Sequence, residues 1–247
     1  MRIEIFNADF RDINIDRKVD LFIVDPPYGN IIKDRYDQLS EDELLGLLYD
    51  LLFWCECYSK IGTTLYVFGG IGKYKYRPFF RFLSEVEIRT KWVIHDMICW
   101  AKRRGYGKKY GYMFAREEIA MLVYNSHRPC YFDIPYLDQQ ISDGWKKRLS
   151  KAKYKTRTGF KRRTNVFYDI NEVMRNQFST LRFVAQKPEK LFDVLIKASC
   201  PNEGLVVDPM CGVGTTGIVC QKQNIDSVLI DINRETCETT RRRIWWR

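Results

Sequence analysis

Apolar positions along the chain follow two periods. Residues 3 to 6, 19 to 24, 63 to 68, 205 to 207 and 227 to 230 are short apolar or β-branched runs closed by polar or turn-forming residues, which predicts strands. Ser40-Glu41-Asp42-Glu43 reads as a capping box. Behind it Leu44, Leu47, Leu48, Leu51, Leu52 and Cys55 recur at helical spacing, so a helix is expected to open at Ser40 and to stop at Gly62. Further helices are expected over residues 74 to 86, where Pro78 sits awkwardly, after Pro188 through Ala198, over 215 to 223 and over 234 to 246. Residues 91 to 100 and 119 to 124 read as an antiparallel pair at the far edge of a sheet, separated by a loop over 102 to 114. Residues 29 to 39 are polar and mixed, as in a flap over a site. From 125 to 180 no period holds.

Length and charge sharpen this picture. The chain of 247 residues suits one α/β domain carrying an insertion. Its net charge is +10, and from residue 101 to 163 there are 17 Lys and Arg against 5 Asp and Glu, whereas the remainder carries 24 basic and 26 acidic residues. All the excess lies in one quarter of the chain, the pattern of a polyanion-binding segment on a near-neutral body, with a solvated charge run as the bland alternative. The first ten residues lack the apolar core of a signal peptide and no uncharged run approaches a membrane span, so a cytoplasmic protein with no membrane partner is expected. Eight cysteines without a Cys-x-x-Cys pair, and only two histidines, predict mostly buried free thiols and no metal site.

Two stretches carry chemistry. Asp25-Pro26-Pro27-Tyr28-Gly29-Asn30 follows the apolar run that ends at Val24. The prolines fix φ and remove two donors, leaving carbonyls and the Asp25 carboxylate as acceptors beside an aromatic ring. Such a pair suits an exocyclic amino group on a flat base, although a rigid turn closed by a packed Tyr28 has the same pattern. The second stretch, Leu205-Val206-Val207-Asp208-Pro209-Met210-Cys211-Gly212-Val213-Gly214-Thr215-Thr216, is a strand, a glycine turn and a helix start, where backbone can approach a ligand and amides favour an anionic group. Asp231 closes the next strand 23 residues after Asp208, near the spacing at which an acid grips ribose hydroxyls.

Together these residues resemble the S-adenosylmethionine-dependent DNA amino-methyltransferases of the permuted beta group, which modify adenine N6 or cytosine N4. In that group the catalytic motif precedes the recognition region and the cofactor motif comes last. Phe53-Trp54-Cys55 with residues 62 to 67, Ile98-Cys99-Trp100-Ala101-Lys102 with Glu117 or Glu118, and Gln186-Lys187-Pro188 with Leu191 extend the likeness. Met210, Val213 and Phe183-Val184-Ala185 depart from the usual residues.

The resemblance implies a Rossmann-like sheet with helices on both faces. It divides the chain into a catalytic part (1–124), a basic target-recognition insertion (125–180) and a cofactor-binding part (181–247). Catalysis falls to Asp25, Pro26, Pro27 and Tyr28. S-adenosylmethionine falls to Lys187, Asp208, Pro209, Met210, Cys211, Gly212, Gly214, Thr215, Thr216 and Asp231, and to Asp9 unless that residue only stabilises a turn. Double-stranded DNA is the implied partner, with a second copy of the chain and a cognate restriction endonuclease as further candidates. Lys102, Arg103, Arg104, Lys108, Lys109, Lys146, Lys147, Arg148, Lys161, Arg162 and Arg163 are the candidate phosphate contacts. Adenine N6 after base flipping is the expected target and cytosine N4 the alternative; a cytosine C5 enzyme fits poorly, because Cys200-Pro201 reverses the order its nucleophile needs. A nucleic-acid-binding protein without catalysis is the reading from a different class.

Overall fold

Parallel pairing of five strands sets the frame. The structure, a computed structural model, describes residues 1–28, 38–70, 72, 75–106, 109–142, 159–173 and 186–246. The strands are β1 (Ile3–Asn7), β2 (Val19–Val24), β3 (Ser59–Gly69), β4 (Trp92–Tyr106), β5 (Phe114–Tyr124), β6 (Tyr136–Gln140), β7 (Phe160–Arg162), β8 (Val166–Phe167), β9 (Leu205–Asp208) and β10 (Asp226–Asp231). Eight of them form one sheet in the order β1-β10-β9-β2-β3-β5-β4-β8, while β6 and β7 pair separately. β1, β10, β9, β2 and β3 run parallel; β5 is antiparallel to β3 and β4. The antiparallel pair is thus close to the edge, as expected, with β8 outside it.

Strand alternation feeds two apolar layers. Phe22 and Val24 join Val67, Val207 and Ile230 beneath α1 (Glu41–Tyr58) and α2 (Pro78–Arg89). Leu21 and Ile23 join Tyr66, Phe68 and Val206 on the opposite face, against α3 (Glu189–Ser199) and α4 (Thr215–Gln223). Ile244 of α5 (Arg234–Trp245) packs beside Ile218 and Leu229. The helices therefore cover both faces, as the resemblance implied.

Three local expectations need correction. Helix α1 opens on the capping box at Ser40 but ends at Tyr58, and Gly62 lies inside β3 at φ +85°. There Val19 pairs with Ser59 while Leu21 pairs with Thr64, so β3 bulges, and a Cβ on Gly62 would stand 2.6 Å from the Cys130 amide nitrogen. Glycine marks the bulge, not the helix stop. Helix α2 starts at Pro78, where a missing N–H costs nothing. β4 and β5 continue into the stretch expected to be a loop: five steps along β4, Ala101 to Tyr106, match two along β5, Arg116 to Phe114. The Glu172 carboxylate accepts from the amides of Arg103 and Arg104 (3.0 and 3.1 Å) and pins this second bulge. Of the expected flap over 29 to 39, residues 29 to 37 lie outside the described residues. Among the described residues no helix is long and apolar enough to cross a membrane.

Candidate active site

The two motifs meet because β9 lies beside β2, with Leu21 opposite Val206 and Phe22 opposite Val207. The chain leaves β2 toward β3 on one side, and β9 and β10 occupy the other. The strand order reverses there, which opens a crevice at the carboxyl ends of the strands. Asp25 follows β2, Asp208 ends β9, Asp231 ends β10 and Asp9 follows β1, all at that edge.

Asp25 is the centre of a charge cluster. Lys187 Nζ donates to both of its oxygens at 2.7 and 2.6 Å, and the Tyr28 hydroxyl is shared between Asp25 (3.0 Å) and Glu117 (3.3 Å). Glu117 lies 3.5 Å from Lys187 Nζ and pairs with Lys102. The Lys187 ammonium also stands over the rings of Tyr28 and Phe68, at 5.2 and 5.3 Å. Burial alone would lower the Lys187 pKa, but Asp25 and Glu117 outweigh it and hold the ammonium above its ordinary value. Burial raises the Asp25 carboxyl, with Lys187 pulling it back. Burial, then the two carboxylates, raises the Tyr28 phenol far enough to keep it a neutral donor. Lys187 was expected at the cofactor; its side chain instead holds the Asp25 carboxylate, while its carbonyl faces the Thr215 hydroxyl at 3.5 Å.

The glycine turn is built as a cradle. Gly212 and Gly214 have φ of +50° and +75°; a Cβ on Gly214 would collide with Thr240, whereas one on Gly212 would enter open space. Backbone can therefore approach a ligand at Gly212, and α4 begins three residues beyond it, at Thr215, with Gly214 as its N-cap. Asp208, expected to touch the cofactor, is buried and turned inward: it accepts from the Met210 amide (3.1 Å) and from the Thr216 hydroxyl, and burial pushes its pKa up to about 7. It closes the turn, and Thr216 with it. Pro209, Cys211 and Thr215 are buried as well, leaving Met210 and Gly212 part-exposed.

Asp231 accepts from the amides of Gly212 and Asn233, both at 2.8 Å, and from the Thr236 hydroxyl at 2.9 Å. It remains part-exposed at the crevice, with burial raising its pKa. Asp9 caps the turn at Phe10–Asp12 and pairs with Arg11 at 2.8 Å, the turn-stabilising alternative. Asp231→Ala is expected to weaken S-adenosylmethionine binding at least about tenfold, the scale of one lost charge-assisted bond, and calorimetry on the variant measures it. Asp231→Asn should keep part of the affinity, because its amide oxygen can still accept.

The basic candidates divide. Arg103, Arg104, Lys109, Lys161 and Arg162 are exposed. Lys102 is not a free phosphate ligand, since it is bound to Glu117 and lies over Trp100. Nor is Arg163: its side chain is 4% exposed, holds Asp169 through two bonds (2.5 and 2.8 Å) and covers Phe167. That guanidinium keeps the Asp169 carboxyl down at about 2. Lys108, Lys146, Lys147 and Arg148 lie outside the described residues.

Glu117 and Phe68 belong to the site but were not among its expected residues. Parity along the strands carries the signal: Glu117 shares a face with buried Ile119, Met121 and Val123, and Lys102 shares one with Ile98 and Trp100. Two charges at core-facing positions need each other.

A family model described as DNA methylase, the N6/N4 methyltransferase model, matches residues 19–242. The type II methyltransferase M.HpaI of Haemophilus parainfluenzae is 27% identical over 93% of this chain and 69% of its own length. M1.MboII of Moraxella bovis is 26% identical over 92% and 89%. Among solved structures, the cytosine-N4-specific PvuII DNA methyltransferase superposes with a TM-score of 0.70 at 16% identity, covering 98% of this chain and 86% of that one. M1.HpyAVI in complex with SAM gives 0.61 at 19% identity, covering 98% and 99%.

Proposed function

The chain belongs to the N6/N4 DNA methylase family, the S-adenosylmethionine-dependent DNA amino-methyltransferases, and we propose that it methylates N6 of adenine in duplex DNA. The observation that carries this reading is the part-buried Asp25 carboxylate at the end of β2, braced by Tyr28 and adjoining the glycine turn. Two features favour adenine over cytosine: the leaning of the Asp-Pro-Pro-Tyr form within the family, and the larger overlap a purine gains on Tyr28.

S-adenosylmethionine supplies a sulfonium methyl group. Met210, Gly212, the start of α4 and Asp231 are the residues that would hold it. Asp25 and the Pro26 carbonyl accept the hydrogens of the target amine and draw its lone pair out of conjugation with the ring. Lys187 must yield one Asp25 oxygen for this, and Glu117, 3.5 Å away, can take up its ammonium. Rate then comes from positioning and oriented dipoles. The amine lies inside a base stack, so the nucleotide has to be flipped out at about a few kcal/mol, offset by backbone contacts.

Mass spectrometry of nucleosides from DNA treated with the protein and labelled cofactor tests the target: the label is expected in N6-methyladenine. Label only in N4-methylcytosine would overturn the adenine assignment and establish the second reading, which one of the solved relatives favours by its own specificity. Replacing Arg103, Arg104 and Arg162 together should flatten the slope of log affinity against log salt by about 2 to 3, at roughly 0.9 per phosphate contact. Replacing Arg163 should leave that slope unchanged. The type II relatives make a cognate restriction endonuclease the protein partner to seek.

A further inference from the structure

The β4–β5 hairpin projects beyond the catalytic edge. Gly69 ends β3 opposite Glu118, so the part of the hairpin from Glu117 outward has no β3 residue beside it. From Glu117 outward β5 continues three residues to Phe114, about 10 Å at the rise of a strand, and Tyr112 lies two residues farther along the chain. Glu117 and Lys102 at its root belong to the Asp25 cluster, so the hairpin rises directly from the site.

Its tip carries bare aromatic surface. Tyr110 is 85% exposed, Tyr112 98% and Met113 65%, whereas the apolar residues just below, Ile119 and Trp100, are buried. Rings at this exposure contribute nothing to the fold and cost hydration. They are also set among cations: Lys109 lies 5.3 Å from the Tyr110 ring centre, and Arg103 and Arg104 are exposed on β4, while Arg116 on β5 pairs with Glu118 at 2.8 Å. Gly105 permits close passage of the strands, since a Cβ there would come within 2.9 Å of Met113 Cβ. Glu172 fixes the bulge behind the tip from a third segment.

Flat rings with cations fit stacked bases beside phosphates. We infer that Tyr110 and Tyr112 form a wedge that enters the duplex beside the target and fills the stack the flipped base vacates, while the neighbouring cations hold the phosphates. This rests on the DNA-methyltransferase reading and adds to it the surface that keeps the target base out of the helix.

The test compares one duplex with the target paired normally against the same duplex with the target opposite an abasic position, using the site found by modified-base sequencing of DNA from an expressing host. Tyr110→Ala/Tyr112→Ala is expected to lower single-turnover methylation of the paired duplex by about tenfold or more, the scale of one lost stacking contact, and to lower it less than about twofold on the unpaired target. Tyr110→Phe/Tyr112→Phe should recover most of the paired-duplex rate, and S-adenosylmethionine affinity should be unchanged in both variants. Equal losses on the two duplexes, or no loss on either, overturn the wedge while methylation by the unaltered protein stands. A protein that methylates no DNA overturns the reading beneath it, and the wedge as well.

Discussion

Asp25→Ala is expected to lower methyl transfer by about 10³-fold, the scale for removing a group that stabilises charge at the reacting centre, with S-adenosylmethionine affinity nearly unchanged. The carboxylate faces Lys187 and Tyr28, and the glycine turn is closed by Asp208 and Asp231 without its help. Loss of Asp25 also leaves Lys187 Nζ to Glu117, already 3.5 Å away, so the cluster retains a counter-charge and the fold should persist. Single-turnover incorporation of labelled methyl, beside calorimetry of the cofactor, separates the two effects. An equal fall in both would make the Asp-Pro-Pro-Tyr loop a structural element.

Lys187→Met should have the second-largest effect, on stability and on pH dependence together. The substitution keeps most of the volume and removes the charge between Asp25 and Glu117, leaving a part-buried and a buried carboxylate joined through one Tyr28 hydroxyl with Lys102 on the Glu117 side only. Breaking a buried pair in this way costs about 3 kcal/mol. Asp25, already raised by burial, then rises further without Lys187 to pull it back. An acid whose folded pKa lies above its unfolded one binds more protons folded than unfolded, so the stability of the variant should fall as pH rises from the ordinary carboxylate range toward neutrality. Activity should move the opposite way, because the ionised Asp25 is the stronger acceptor for the amine hydrogen that it takes beside the Pro26 carbonyl. Turnover should drop about tenfold for each unit by which the Asp25 pKa exceeds the assay pH, and recover in alkaline buffer. Thermal unfolding at pH 5 and 8 beside a pH–rate profile checks both slopes; a variant with the profile of the unaltered protein would remove Lys187 from the mechanism.

Much of this site could be read from the sequence because its motifs are local. Strand β2 runs over Val19–Val24 and helix α4 over Thr215–Gln223, the residues the apolar pattern marks. The adjacency of β2 and β9 is a property of the whole sheet, and no local signal encodes strand order. Long-range pairing was harder to see: Lys187 and Asp25 are 162 positions apart, and a basic residue before a helix reads equally well as a cofactor ligand. Lys102 and Arg163 were hidden by composition, because both sit in the basic quarter of the chain although their charges are neutralised by Glu117 and Asp169. Gly62 misled for a local reason: a positive φ serves a helix end and a strand bulge alike, and only the Cys130 backbone beside it decides.

The ties that fasten the basic segment to the sheet set limits for exchanging it between relatives. On its leading side the Cys130 amide donates to the Gly62 carbonyl and the Asp133 amide to the Ala198 carbonyl, each at 2.8 Å. On its trailing side Arg163 holds Asp169, β8 lies on β4, Trp100 Nε1 donates to the Ile170 carbonyl at 2.8 Å, and Glu172 grips the bulge that carries the hairpin. A graft that replaces residues 134 to 162 leaves both sets of fastenings with the host, whereas a cut made after Glu172 would import a foreign brace for the host's own β4. Chimeras joined at the inner boundaries should keep the host's methylation rate and acquire the donor's target sequence.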